Sequence, residues 1–356
     1  MILNIQKVKT PVAILHNIPK FFFRKLEDSK SFGDHLFPSW SVTIFADTTL
    51  QKKFEVVYKQ YKSIKVKRDR IKIIKAFENG NEIEKLCNND STIEMITIND
   101  LHISVKEPIE KLFSYLYNTA SKYPEFTNYV NKTIPSSIDD FIKIHKLEVC
   151  PICGLEGFPN LDGQARLALD HWLCQDIFPF SSVNFNNLLP IGDKCNSRPA
   201  KGDKNVLLDN DARITAYYPY KQYNGINARF SFTEEPSFEN ENGIWDFVIT
   251  PKNAAEIDFF HSWDSTFNIK IRYNSFVEKN ILTMWQETYK EYINDHEILD
   301  HATDLNSFKN NLIHWKASFM KKKYPGYKAY RSFINHLLND VSEAYLTSLF
   351  LNLSRY

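Results

Sequence analysis

The sequence predicts an α+β protein, a mostly α-helical chain with one compact turn-rich window and a small β extension. Three observations carry this. Apolar and aromatic residues recur at three- and four-residue spacings over much of the chain, the period of a helix with one buried face. Five of only ten glycines (Gly154, Gly157, Gly163, Gly192, Gly202) fall within residues 150–202, with four of the five cysteines (Cys150, Cys153, Cys174, Cys195). Two short runs, 228–232 and 244–250, are rich in aromatic and β-branched residues and lie near Asn224-Gly225 and Asn242-Gly243, which reads as strands with turns.

In chain order the sequence divides into four segments. Residues 1–140 read as mainly helical. Within them 49–86 form a long helix or helix pair, with no proline and no glycine before Gly80. Phe54, Val57, Tyr58, Tyr61 and Ile64 mark its apolar side. Residues 52–75 hold ten Lys/Arg against Glu55 and Asp69, a local net of +8. Two readings of this run stay open: a solvated basic face over a packed stripe, or a phosphate-contacting surface that includes Lys65, Lys67, Arg68 and Arg70. A helix over 107–122 carries Ile109, Leu112, Phe113 and Leu116 on one face. Another over 137–146 starts with Ser137 and has Asp140 three positions on, a variant of the capping box. Residues 141–210 contain the turn-rich window, 211–252 the β extension, and 253–356 a second helical region. There Leu305, Phe308, Leu312, Trp315 and Phe319 form one stripe, and Phe333, Leu337, Val341, Tyr345 and Leu349 another.

Composition excludes several classes. At 43% hydrophobic and 24% charged residues the chain is ordinary globular material. No apolar run is long enough for a transmembrane helix, and Lys and Asn interrupt the N-terminal apolar stretches where a secretory signal needs an unbroken core. An odd cysteine count in a long chain argues against a disulfide scaffold and for a reducing, cytoplasmic setting. No GxxxxGK[ST] or GxGxxG is present, which argues against a nucleotide site of that kind. The formal net charge of +1 does not itself point to nucleic acid.

The chemistry-bearing residues lie in the window. It opens with Cys150-Pro-Ile-Cys153-Gly154, the spacing with which two thiolates grip one tetrahedral metal while a glycine closes the turn. Leu167-Ala-Leu169 then leads into Asp170-His171. A Phe178-Pro179-Phe180 loop follows, then Asn187-Leu-Leu-Pro190, then Cys195-Asn196, with Lys201 and Lys204 beyond. Each piece alone is weak. In this order and spacing they resemble the HNH family of nucleases, the treble-clef branch of the ββα-metal nucleases. The resemblance covers about 55 residues.

That resemblance implies an embedded ββα-metal module and a metal-dependent endonuclease acting on nucleic acid, DNA favoured, leaving 5′-phosphate and 3′-hydroxyl ends. His171 would be the general base. Asp170 and Asn196 would hold one Mg²⁺ or Mn²⁺, and Asn187 (with Asn186 as fallback) would brace the loop that positions the base. Lys201 or Arg198 would contact phosphate. In the family fold Asp170-His171 ends the first strand, Asn187–Ile191 begins the second, and Asn196 sits in the first turn of a helix with Asp193 as N-cap. Pro199 would keep that helix short or bent. Zinc-supported members have a second CxxC, but Gly192 stands where its first cysteine is expected. Cys150, Cys153 and Cys195 are then three zinc ligands, and Asp193, Cys174 or His145 is available as a fourth; Cys174 otherwise reads as a small buried residue. Cys87 reads as a buried thiol. The large helical flanks resemble those of nuclease effectors in bacterial anti-phage defence, which work beside an ATPase partner. The competing role is restriction or homing-type cutting. The contrasting reading is a non-catalytic zinc-finger-like binding or interaction subunit.

Overall fold

The computed structural model describes residues 4–46, 49–158, 169–237, 239–295, 302–321 and 323–354. Leu167, Ala168 and Gly163 lie outside the described residues. The described residues are rich in helix, with three small two-stranded antiparallel sheets. It divides into two compact units, one of residues 4–147 and 161–222, the other of 148–160 and 223–356. The short 148–160 segment thus groups with the C-terminal half and not with the window around it.

The first unit begins with helices α1 (Asn17–Leu26), α2 (Ser39–Ile44), α3 (Thr49–Ser63), α4 (Lys67–Gly80) and α5 (Ile83–Cys87). The 49–86 region is therefore three helices. The breaks fall at 64–66 and 81–82, where Ile64 turns inward and is buried. Phe54, Val57, Tyr58 and Tyr61 are buried as the periodicity required. Next come α6 (Ile103–Asn118), α7 (Pro124–Val130) and α8 (Ser137–His145). The capping box expected at α8 does not form. Ser137 lies inside the helix and its hydroxyl donates to Thr133 O, while Asp140 accepts from Lys132. The core of this unit is aromatic. Phe23 stacks on Phe77 with ring centroids 4.7 Å apart, and Phe22 meets Phe54 at 4.8 Å. Such pairs add to the apolar area they bury.

Strands β1 (Leu169–His171) and β2 (Leu188–Pro190) pair antiparallel, with Asp170 opposite Leu189 and His171 opposite Leu188. The four-residue helix α9 (Asp193–Asn196) follows β2 directly, and its chain turns extended at Ser197, ahead of Pro199. Gly192, not Asp193, is the N-cap, and no side chain caps the helix. Asp193 is the first helical residue, where its charge still suits the positive helix end. A two-residue ribbon, β3 (Leu208–Asp209) with β4 (Ala212–Arg213), completes the unit.

The second unit holds the expected hairpin, β5 (Ile226–Glu234) against β6 (Ile244–Pro251), longer at both ends than the apolar runs alone implied. Gly243 enters β6 at φ +62, and a Cβ there would lie 2.4 Å from Glu234 O. The helices are α10 (Ile257–Phe267), α11 (Ile269–Phe276), α12 (Trp285–Asp295), α13 (Leu305–Lys321), α14 (Tyr327–Asn339) and α15 (Glu343–Ser354), with a π-helical turn at Val277–Leu282. α14 covers the free edge of β5. The Phe230 and Phe232 amides donate to Ser332 Oγ and His336 Nε2, so edge N–H groups find partners one helical turn apart. The 305–319 stripe lies within α13, with Phe308, Leu312, Trp315 and Phe319 buried. The 333–349 stripe is split between α14 and α15, because the chain breaks at 340–342.

Candidate functional site

The cysteine turn is the most local part. Gly154 adopts φ +68, the left-handed conformation that glycine enters without strain. Its amide donates to Cys150 O at 2.8 Å, and Leu155 N donates to Cys153 Sγ at 3.3 Å. Amide-to-thiolate bonds of this kind orient a metal-binding sulfur. Helices of the same unit fix the turn from outside. Tyr273 Oη donates to Cys153 O at 2.8 Å, Trp263 Nε1 to Ile152 O at 3.1 Å, and Arg272 lies 3.5 Å from Cys153 Sγ.

The ligand atoms of Cys150, Cys153 and Glu156, all in the 148–160 segment, lie within 4.8 Å of one another, a group of metal-ligating side chains; Cys195, in the other unit, is buried in α9. Glu156 is the acidic residue that stands with the two cysteines. Asp193 is exposed at the start of α9, Cys174 is buried elsewhere, and the His145 ring bonds Gln6. Sequence reasoning passed over Glu156, although it stands three residues after Cys153, where a carboxylate oxygen can close a site that lacks one thiolate.

The Asp-His pair occupies β1. Asp170 is buried, and its Oδ2 lies 2.9 Å from Lys201 Nζ, an ion pair off the axis of a good hydrogen bond. Burial pushes the Asp170 carboxyl up, against the pull of the Lys201 ammonium. Lys201 is itself only 1% exposed. The expected phosphate contact is thus an internal counter-charge, because a buried ammonium needs a buried partner.

His171 donates Nε2–H to the Ser182 carbonyl at 2.9 Å. A carbonyl only accepts, so this bond places the proton of the neutral ring on Nε2. Among the described residues Nδ1 has no hydrogen-bond partner. Burial, with the Lys201 charge as a lesser cause, lowers the His171 pKa to about 4. The ring is therefore neutral at physiological pH, with a basic nitrogen available.

Asn187 is fully buried and ties the β1–β2 connection together. Its Oδ1 accepts from Leu173 N at 2.7 Å, and its Nδ2 donates to Leu173 O and Ser181 Oγ. The neighbouring Ser182 carries the carbonyl that holds His171, so Asn187 fixes the loop that fixes the ring. Asn186, by contrast, is exposed. The Phe178-Pro179-Phe180 segment anchors the same loop in the helical core: Phe180 meets Phe23 at 5.2 Å and Phe113 at 5.3 Å.

Asn196 ends α9 half-exposed, and among the described residues its side chain has no hydrogen-bond partner. Arg198 is exposed and pairs with Asp203 through Nε at 2.9 Å. In the basic region Lys65, Lys67 and Arg68 are exposed and, among the described residues, carry no ion pair. Arg70 differs. Its guanidinium donates to Glu27 and to Ile64 O at 2.7 Å, so it closes the α3–α4 turn instead of facing outward. Cys87 is buried, accepts a hydrogen bond from Trp172 Nε1, and burial pushes its thiol up to about 12, which fits an inert structural thiol.

No family model, curated protein or solved structure matches the chain. No helix of the described residues is long and apolar enough to cross a membrane.

Proposed function

We propose that the chain is a metal-dependent endonuclease of the HNH type, with β1, β2 and α9 as a ββα-metal module set among helices. One observation carries this reading: a neutral histidine whose Nε2–H is held by Ser182 O, with Nδ1 unpartnered among the described residues, directly following a buried carboxylate. A base for water activation needs that arrangement, a fixed ring with one basic nitrogen and no competing proton. His171 Nδ1 takes the proton of the attacking water. Asn187 keeps the loop and hence the ring in place. Asp170 and Asn196 are the residues that would hold a divalent ion. Asp170 brings a buried carboxylate, its Oδ2 facing the Lys201 ammonium at 2.9 Å, and Asn196 offers an amide oxygen, a hard oxygen set that suits Mg²⁺ or Mn²⁺. When bound, such an ion stabilises charge on the leaving oxygen. Cys150, Cys153 and Glu156 are the residues of the 148–160 segment that would hold a structural zinc, with Cys195 as the further ligand that the resemblance implies. The substrate class is nucleic acid, DNA favoured, and the biological role in this reading is an effector of anti-phage defence acting beside an ATPase partner.

The decisive assay incubates plasmid, single-stranded DNA and RNA with Mg²⁺ or Mn²⁺ and compares wild type with His171→Ala. Loss of the base is expected to slow cleavage by about 10²–10⁴-fold with an unchanged melting temperature. Equal cutting by the variant would sink the assignment. A second reading is favoured by the Lys201–Asp170 pair, which gives the aspartate a structural role: a non-catalytic zinc-dependent nucleic-acid-binding or interaction subunit. It requires binding without turnover under every metal.

A further inference from the structure

We propose that Tyr117, on helix α6 outside the β1–β2–α9 module, is the positioning residue that fixes the His171 imidazole; this rests on the nuclease reading above. Two contacts motivate it. The Tyr117 ring packs against the His171 ring, with centroids 4.4 Å apart and planes tilted by 59°. The Tyr117 hydroxyl donates to the Leu169 carbonyl at 2.8 Å.

The strand geometry explains why the second contact matters. Among the described residues β1 pairs with β2 alone in a two-stranded sheet, so half of its backbone groups face away from that partner strand. Trp172 N donates across to Asn187 O. By alternation, the backbone groups of Leu169 and His171 point outward from the ladder. The outward Leu169 carbonyl would be a buried acceptor without a partner, and Tyr117 supplies one. Leu169 and His171 also share a face of the strand, two residues apart. One tyrosine therefore holds both the strand and the ring that the strand carries.

The other side of the ring is held by Ser182 O, whose own side-chain hydroxyl donates to Phe113 O on α6 at 3.4 Å. Helix α6 thus reaches the imidazole twice, directly through Tyr117 and through the Ser182 loop. A ring gripped on its face and at Nε2 is restricted in χ2 rotation, which keeps Nδ1 directed along one line. Because Tyr117 contacts neither water nor phosphate in this role, it acts on turnover and not on substrate affinity.

The test compares Tyr117→Leu, which removes the ring, with Tyr117→Phe, which removes only the hydroxyl. Tyr117→Leu is expected to lower kcat about tenfold or more, in line with the sensitivity of catalysis to small misplacement, with KM unchanged. Tyr117→Phe restores kcat to within about threefold of wild type. Long-range ¹H–¹⁵N spectra of histidine-labelled protein should show His171 as the Nε2–H tautomer in wild type and Tyr117→Phe, and a tautomer mixture in Tyr117→Leu. Wild-type kcat and an undisturbed tautomer in Tyr117→Leu would overturn the inference. Should that variant not fold, nuclear Overhauser contacts between the Tyr117 and His171 rings in the unsubstituted protein decide the matter, and their absence overturns it. Inactive wild type with the tautomer and ring contacts as described would instead count against the nuclease reading alone.

Discussion

Two charged regions of the same compact unit behave in opposite ways. The 52–75 segment concentrates ten basic residues on helices α3 and α4 and the turn between them, and Lys65, Lys67 and Arg68 extend into solvent. The Asp170–Lys201 pair is a single carboxylate and a single ammonium, 10% and 1% exposed at their side chains. Charge in water is cheap to hold and weak in effect, because solvent screens it. Charge in the interior is costly to hold, so neither member of a buried pair can be removed alone. The crowded region is the one that tolerates change, and the sparse one is not.

The same contrast sets what could be read from the sequence. Charge density is a property of neighbouring residues, so the basic segment was visible at once. The cysteine turn was visible for the same reason: Cys150, Cys153 and Gly154 sit within five residues and the turn closes on itself. Helix α3, the β5–β6 hairpin and the split before Pro199 also follow from local pattern. Lys201 could not be separated from the other basic residues, since what distinguishes it is a partner 31 positions away. Tyr117, Ser182 and the division of 148–160 from the surrounding window depend likewise on tertiary contacts that leave no periodic trace. Arg70 belongs here too. It reads as one more basic residue of a run, but its position at the α3–α4 turn brings it to Glu27.

The largest expected effect comes from breaking the buried pair. Asp170→Ala leaves the Lys201 ammonium buried without its counter-charge, which costs about 3–5 kcal/mol. Urea unfolding in metal-free buffer measures it. The double variant Asp170→Leu with Lys201→Met removes both charges and should recover most of that stability, as apolar replacement of buried pairs does. A loss below about 1 kcal/mol in the single variant, or no recovery in the double, would show that the pair is better solvated than its burial implies. The result also bears on activity assays. An inactive Asp170→Ala protein says little about metal binding unless its fold is checked first.

A smaller effect is expected from pH, and it again follows the buried groups. Burial lowers the pKa of both His16 and His171 to about 4, with the Lys20 charge adding at His16. Between that value and about 6.5 the unfolded chain binds protons that the native state does not. Stability therefore rises with pH across this window and is lost as the solution is acidified from 6.5 towards 4. Asp170 works in the opposite sense, since its folded carboxyl is pushed up, but it is one group against two. Thermal unfolding at pH 7 and pH 5 should show a lower Tm at the acid value. His16→Phe should reduce that difference, because the His16 ring already stacks on Phe77 and its Nδ1 has no hydrogen-bond partner among the described residues. A Tm independent of pH over this range would mean that both imidazoles are more hydrated than their surroundings indicate.

The smallest effect on stability, and the one that sharpens the contrast, belongs to the exposed ridge. Lys65→Glu, Lys67→Glu and Arg68→Glu together should shift stability by no more than about 0.5 kcal/mol per site, the range of ordinary surface substitutions. Arg70 is left intact in this set. Its guanidinium bonds to Glu27 and Ile64 O, so changing it would mix a packing loss with an electrostatic one. If the ridge lies along a nucleic-acid backbone, each lost phosphate contact lowers the slope of log K against log salt by about 0.9 on duplex DNA. Three contacts would flatten a binding isotherm series enough to see between low and moderate salt. An unchanged slope assigns the ridge to solvation alone, with the buried faces of α3 (Phe54, Val57, Tyr61) and α4 (Ile73, Ala76, Phe77) as the reason those helices form. A flattened slope with unchanged stability would make the ridge the substrate-facing surface of this unit. The same substitutions thus separate the two readings that composition left open, and they do so without touching the buried groups on which the proposed chemistry rests.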